Sequence, residues 1–195
     1  APTDGVNGLV SIRVCPGDLP VLLTLTGQAG ATYFDEATNR FTPFGADRTL
    51  HALIDAFNEN VAVSALTEAA YRYALNNYKL DPNAIRAGTA QLASNGNVIG
   101  LTLDQVRKAN DTVLGEVNRL QTANMKLVSI KSLPTPIDSA SGAEALPDNR
   151  YGIAAAVLGG LASMGAQFTR SQNPAVDIGE QIARDLTDGT LNGFG

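Results

Sequence analysis

Residues 47–58 read DRTLHALIDAFN, and the reading of this stretch divides the chain. Leu50, Leu53, Ile54 and Phe57 recur at helical spacing as one apolar stripe, and Asp47 stands where a helix N-cap belongs. Read as a helix, the stretch opens a helical body over residues 47–195. Ahead of it lies a β-leaning head, residues 1–46.

In the head, LVSIRV (9–14) alternates apolar and polar residues as a half-buried strand does. PVLLTLTG (20–27) reads as a second, more apolar strand, and CPGDLP between the two has the Pro-Gly chemistry of a tight reversal. ATYFDEATNRFTPF (31–44) reads as a third strand, a turn at 35–39 and a short fourth strand. Four short strands need a covering element on one face. The strand pair around VCPGDLPV presents an edge, so residues 1–14 are expected to pair with a neighbouring β-domain or another subunit.

Behind residue 58, VAVSALTEAAYRYALNNYKLDPN (61–83) changes from alternation to helical spacing at Leu66. Leu66, Ala70, Tyr73 and Asn77 share a row, Tyr71 and Tyr78 lie one stripe over, and Glu68 and Arg72 form an i,i+4 pair on the side assigned to solvent. Asp81-Pro82 signals the start of a helix over NAIRAGTAQLAS (83–94), and Thr102 to Gln105 is a capping box for a long helix carrying Leu103, Val106, Val113, Val117 and Leu120. The Pro-, Ser- and Gly-rich stretch 127–148 reads as an ordered strap. NRYGIAAAVLGGLASMGAQF (149–168) packs Ile153, Val157, Leu161, Met164 and Phe168 on one side, and its glycines imply close backbone contact with a neighbour. Asn173-Pro174 starts a last helix through Ile178, Ile182 and Leu186, with Gly189 as its stop. The expected fold is thus α+β: a small N-terminal antiparallel sheet packed against a bundle of about six helices, as one cooperative unit.

Of 195 residues, 44% are hydrophobic and 17% charged, which suits a buried core. A net charge of −5 without a Lys/Arg cluster argues against nucleic acid, and no apolar run reaches the roughly 20 residues of a membrane-spanning helix. The single cysteine, Cys15, has no internal disulfide partner and reads as a small buried hydrophobe, an intermolecular bond being the other reading.

No stretch specifies a reaction. Asp35 and Glu36 sit in a turn without the periodicity of a calcium loop, and His51 with Asp55 lacks a further ligand for a metal. Ser64, His51 and Asp55 make a triad only on paper, for no G-x-S-x-G elbow is present. Neither catalytic residues, metal nor cofactor is therefore expected. The tyrosines read chiefly as core with hydroxyls at its rim. The alternative is a small-ligand cleft between sheet and helices, lined by Tyr33, Tyr71 and Tyr78.

Several short motifs occur in one order: YFDEATNRFTPFG, LHALI, VAVSALTEAAYRYA, ANDTVLGEV, LPTPID, DNRYGIAAAVLGGLA and ARDLTDGTLNG. This series resembles the helical module of large exported proteobacterial surface proteins or lipoproteins, which follows immunoglobulin-like or carboxypeptidase-regulatory-like β-repeats. The resemblance spans about residues 20–193, and implies an extracellular or envelope location and no catalytic residues. Low cysteine and tryptophan content, acidity and abundant Ala, Thr, Asn and Gly point the same way. The expectation is a non-enzymatic structural or adhesive module of the bacterial surface that assembles through its N-terminal strand edge.

Overall fold

The computed structural model describes residues 10–13, 19–38, 40–57, 60–78, 101–133, 150–168, 171 and 173–193. Cys15, most of the turn expected at 15–20, the helix expected over 83–94 and the strap beyond residue 133 lie outside these.

Strand β1 (Val21–Thr26) pairs antiparallel with β4 (Thr49–Ile54), from Val21 opposite Ile54 to Thr26 opposite Thr49. Between them in sequence, β2 (Thr32–Asp35) and β3 (Arg40–Pro43) form a separate two-stranded hairpin. The turn expected at 35–39 lies between these two strands. The strand expected over 9–14 is not seen, since residues 10–13 are in no sheet. The head thus contributes to two small sheets instead of one.

The larger correction concerns 47–58, which carries a strand and not a helix. A short apolar run fits a buried strand as well as a helix, and periodicity alone does not separate them. The separation comes from a distant partner. The apolar run of β1 requires an antiparallel neighbour for its N–H and C=O groups, and Thr49–Ile54 supplies it. Ala52, Leu53 and Ile54 are consecutively buried, as in a strand covered on both faces.

Four helices follow among the described residues: α1 (Ala65–Asn77), α2 (Leu103–Arg119), α3 (Arg150–Phe168) and α4 (Pro174–Asp185). The expected count of about six fails because one of the six is β4, and another, over 83–94, lies outside the described residues. Local chemistry sets the helix starts. Ser64 caps α1 in a capping box with Thr67, and Thr102 caps α2 in one with Gln105. A 3₁₀ turn (Leu186–Asp188) follows α4, and Gly189 ends it at φ 89°, a left-handed conformation that glycine adopts freely.

Helix α1 is the centre of the molecule and packs on β4, α2 and α4, while α3 packs on α4. It is consequently buried almost all round, and its alanines Ala65, Ala69, Ala70 and Ala74 keep the neighbours close. The main core joins them to Leu53, Val106, Val113, Leu161, Ile178 and Leu186, whereas Phe44, Leu50 and Val176 form a smaller second cluster. Met164, expected inside, is exposed.

Two glycines mark the closest helix contacts. A Cβ on Gly179 of α4 would lie 2.5 Å from the Ala65 carbonyl oxygen of α1, and one on Gly165 of α3 would lie 2.5 Å from the Pro174 oxygen. Gly160 has open space around it instead. Gly160→Ala should therefore raise unfolding free energy by about 0.5–1 kcal/mol, the helix-propensity gain, whereas Gly165→Ala should cost about 1–3 kcal/mol by overpacking. Urea melts of the two variants check the opposite signs; the same sign in both would refute the packing account.

Candidate functional site

The densest polar cluster lies where β4 meets α1. Glu68 is buried, its side chain only 3% exposed, and both of its oxygens are used. Oε2 accepts the His51 backbone N–H at 2.7 Å and lies 2.8 Å from His51 Nδ1, and Oε1 accepts Arg72 Nε at 2.7 Å. The i,i+4 pair expected between Glu68 and Arg72 is thus present, but it is not on a solvated face. Arg72 Nη1 reaches to 3.6 Å from Glu180 of α4, whose other oxygen accepts Arg184 Nη2. The His51 ring stacks on Tyr71 with centroids 4.1 Å apart. Burial pushes the Glu68 carboxyl up, but the hydrogen bond and charge of His51, with Arg72, outweigh it and hold the group below the usual carboxylate range.

The same contacts cover part of one edge of the sheet. In an antiparallel pair, alternate residues turn both backbone groups toward the partner or away from it. His51 N–H and Leu53 C=O turn away from β1. Glu68 accepts the first, and Asn110 Nδ2 of α2 donates to the second at 3.3 Å. Just beyond β4, Lys131 pairs with Asp55. This network ties helices to a strand and leaves the carboxylate no unused oxygen.

The hairpin carries a second pair of acids. Asp35 is buried, and its Oδ1 accepts the Ala37 N–H at 3.0 Å, which closes the turn. Glu36 lies against α3, where a Cβ on Gly159 would come 3.3 Å from the Glu36 Cβ. Burial pushes the Glu36 carboxyl up to about 7; its own backbone N–H opposes this and the Asp35 charge adds to it. An acid raised in the folded state stabilises fully below its unfolded value near 4.5 and loses that contribution as pH rises through about 7. Glu36→Gln should therefore gain about 2–3 kcal/mol on the wild type between pH 5 and pH 8, from the 1.36 kcal/mol per pKa unit. Denaturant melts at both values measure this, and a difference independent of pH would exclude a charged, buried Glu36.

The three candidate tyrosines fall in two places. Tyr71 is buried in the main core and Tyr78 packs at its border, while Tyr33 belongs to the second cluster and meets Phe44 edge-to-face at 6.2 Å. Tyr33 Oη is buried with no hydrogen-bond partner. Burial, followed by the charges of Asp35, Glu36 and Asp177, raises its phenol above the usual tyrosine range, and Arg48 opposes them. Close by, an open cleft of about 460 Å³ is lined by Arg48, Asp47, Asp177, Asn173, Ser171 and the turn around Gly45. Arg48 Nη1 donates to Asp177 Oδ1 across it at 2.5 Å. None of the three tyrosines lines this cleft.

Ser64, His51 and Asp55 are not assembled: Ser64 caps α1, His51 meets Glu68 and Asp55 meets Lys131. Among the described residues no three His, Cys, Asp or Glu side chains are grouped to hold a metal, and no helix is long and apolar enough to cross a membrane. Sequence reasoning missed the Glu68–His51 contact. Its one signal was a lone Glu–Arg pair on a helix otherwise rich in small apolar residues. No family model, curated protein or solved structure matches the chain.

Proposed function

We propose that this chain is a non-enzymatic structural or adhesive module of the bacterial envelope or exterior, working through protein–protein contact. One observation carries the reading: Val10, Ile12, Leu25 and Phe41, the last 71% exposed, put large apolar side chains in water on the N-terminal β-part. Leu25 stands on β1, which has β4 on one side and no strand on the other among the described residues, and such an edge accepts a strand from another protein. The ionisable groups of the interior meanwhile hold elements together. The export reading is supported by composition and by the resemblance to surface-protein modules. Light scattering joined to binding assays on bacterial cells and extracellular matrix tests it. A monodisperse monomer that binds neither would reject it.

A second reading, a small-ligand protein, has the Arg48 cleft in its favour, since about 460 Å³ falls within the size range of ligand pockets. Thermal-shift screening against sugars, amino acids and haem addresses it. A stabilisation abolished by Arg48→Ala and retained by a distant surface variant would promote this reading over the first.

A further inference from the structure

The two edges of the β1–β4 sheet differ. The outer edge of β4 is covered in part, Glu68 taking its His51 N–H and Asn110 its Leu53 C=O, whereas β1 has β4 on one side and no strand on the other among the described residues. Which groups are left open follows from the register. Leu50, Ala52 and Ile54 turn toward β1, opposite Leu25, Leu23 and Val21, and Gly27 N–H continues the series by donating to Arg48 C=O at 2.9 Å. Leu22, Thr24 and Thr26 therefore point their N–H and C=O groups away from β4. Thr24, Leu25 and Thr26 are exposed and Val21 to Leu23 half-buried, so the second half of this edge faces solvent.

The chain also holds a segment that belongs to no sheet. Residues 10–13 are exposed and unpaired, with Val10 44% and Ile12 53% exposed, and they alternate with Ser11 and Arg13. Such alternation puts both apolar side chains on one face of a strand and both polar ones on the other. We propose that the segment around Val10–Arg13 of one copy adds as a strand to the open β1 edge of a second copy. Main-chain hydrogen bonds to Leu22, Thr24 and Thr26 supply the pairing, and Val10 and Ile12 lie on the apolar side of the sheet. A second copy is the occupant because the same chain carries both the free segment and the open edge, and the two are not joined within it. Each copy offers one donor and one acceptor, so the contact closes reciprocally into a dimer or propagates as a chain.

This proposal rests on the reading of the chain as an interaction module and names its partner. Thr24→Pro tests the acceptor, because the N–H it removes points away from β4 and proline is tolerated at such edge positions. Ile12→Lys tests the donor at an exposed site outside the core. Sedimentation over a concentration series should show the wild type self-associating and each variant at monomer mass, with the melting temperature of Ile12→Lys unchanged. Mixing the two variants should restore association, because one keeps the donor and the other the edge. Retention of wild-type association by Ile12→Lys would overturn the proposal, as would failure of the mixture to associate. A monomeric wild type whose Thr24 and Thr26 amides resist hydrogen exchange would mean that the segment folds onto its own β1, and would overturn it too. A monomeric wild type that still binds cells or matrix sinks the strand exchange alone and leaves the interaction module standing.

Discussion

Glu68→Ala is expected to lower unfolding free energy by about 3–5 kcal/mol, the range for removing one partner of a buried ion pair. The reason is what the carboxylate leaves behind. Without it the His51 backbone N–H, the His51 ring and Arg72 Nε lose their acceptor together, in a region where the side chain is 3% exposed. Glu68→Gln keeps the shape but removes the charge, and its amide accepts through one oxygen where the carboxylate uses two. It should therefore fall between the wild type and alanine. Urea denaturation of the three proteins decides. A loss below about 1 kcal/mol for alanine would put the contact among exposed pairs, which are worth little.

The same carboxylate contributes to the acid limit of the fold. Its pKa is lowered in the folded state, so its contribution is present above the unfolded value near 4.5 and is lost as pH falls below it. Glu36 has the opposite sign and weakens the fold as pH rises from about 4.5 through about 7. For these two groups the limbs meet near the unfolded carboxyl value of 4.5. Glu68→Gln should flatten the limb below about 4.5, and Glu36→Gln the one between about 4.5 and 7.

What the sequence revealed follows from how local each determinant is. The capping boxes at Ser64 and Thr102, the Pro174 start and the Gly189 stop act within one helical turn, and the β2–turn–β3 hairpin is set by residues next to one another. The identity of 49–54 is not local. Leu50, Leu53 and Ile54 sit at helical spacing and also within a short apolar run that a strand buried on both faces carries, and β1, more than 20 residues earlier, selects the strand. Glu68 was illegible for a related reason: an i,i+4 pair with Arg72 normally belongs to a solvated face, and only the packing of β4, α2 and α4 around α1 buries it. Residues 10–13 show the converse. Their alternation is legible as a strand, but a strand takes its place only from a partner, and within the described chain none is present.

Tyr73→Ala is expected to cost about 3–5 kcal/mol, the range for deleting a buried aromatic side chain. Tyr73 is 8% exposed in the main core. Alanine at that position would leave a cavity that α1 has little freedom to close, because α1 is held against β4, α2 and α4 at once. The hydroxyl contributes far less than the ring. Tyr73→Phe keeps the ring and removes only the hydroxyl, so it should cost at most about 1 kcal/mol, the net worth of one hydrogen bond. Denaturant melts of both variants separate ring from hydroxyl. If alanine costs less than about 0.5 kcal/mol, or phenylalanine costs as much as alanine, the ring is not the part of Tyr73 that holds the core together.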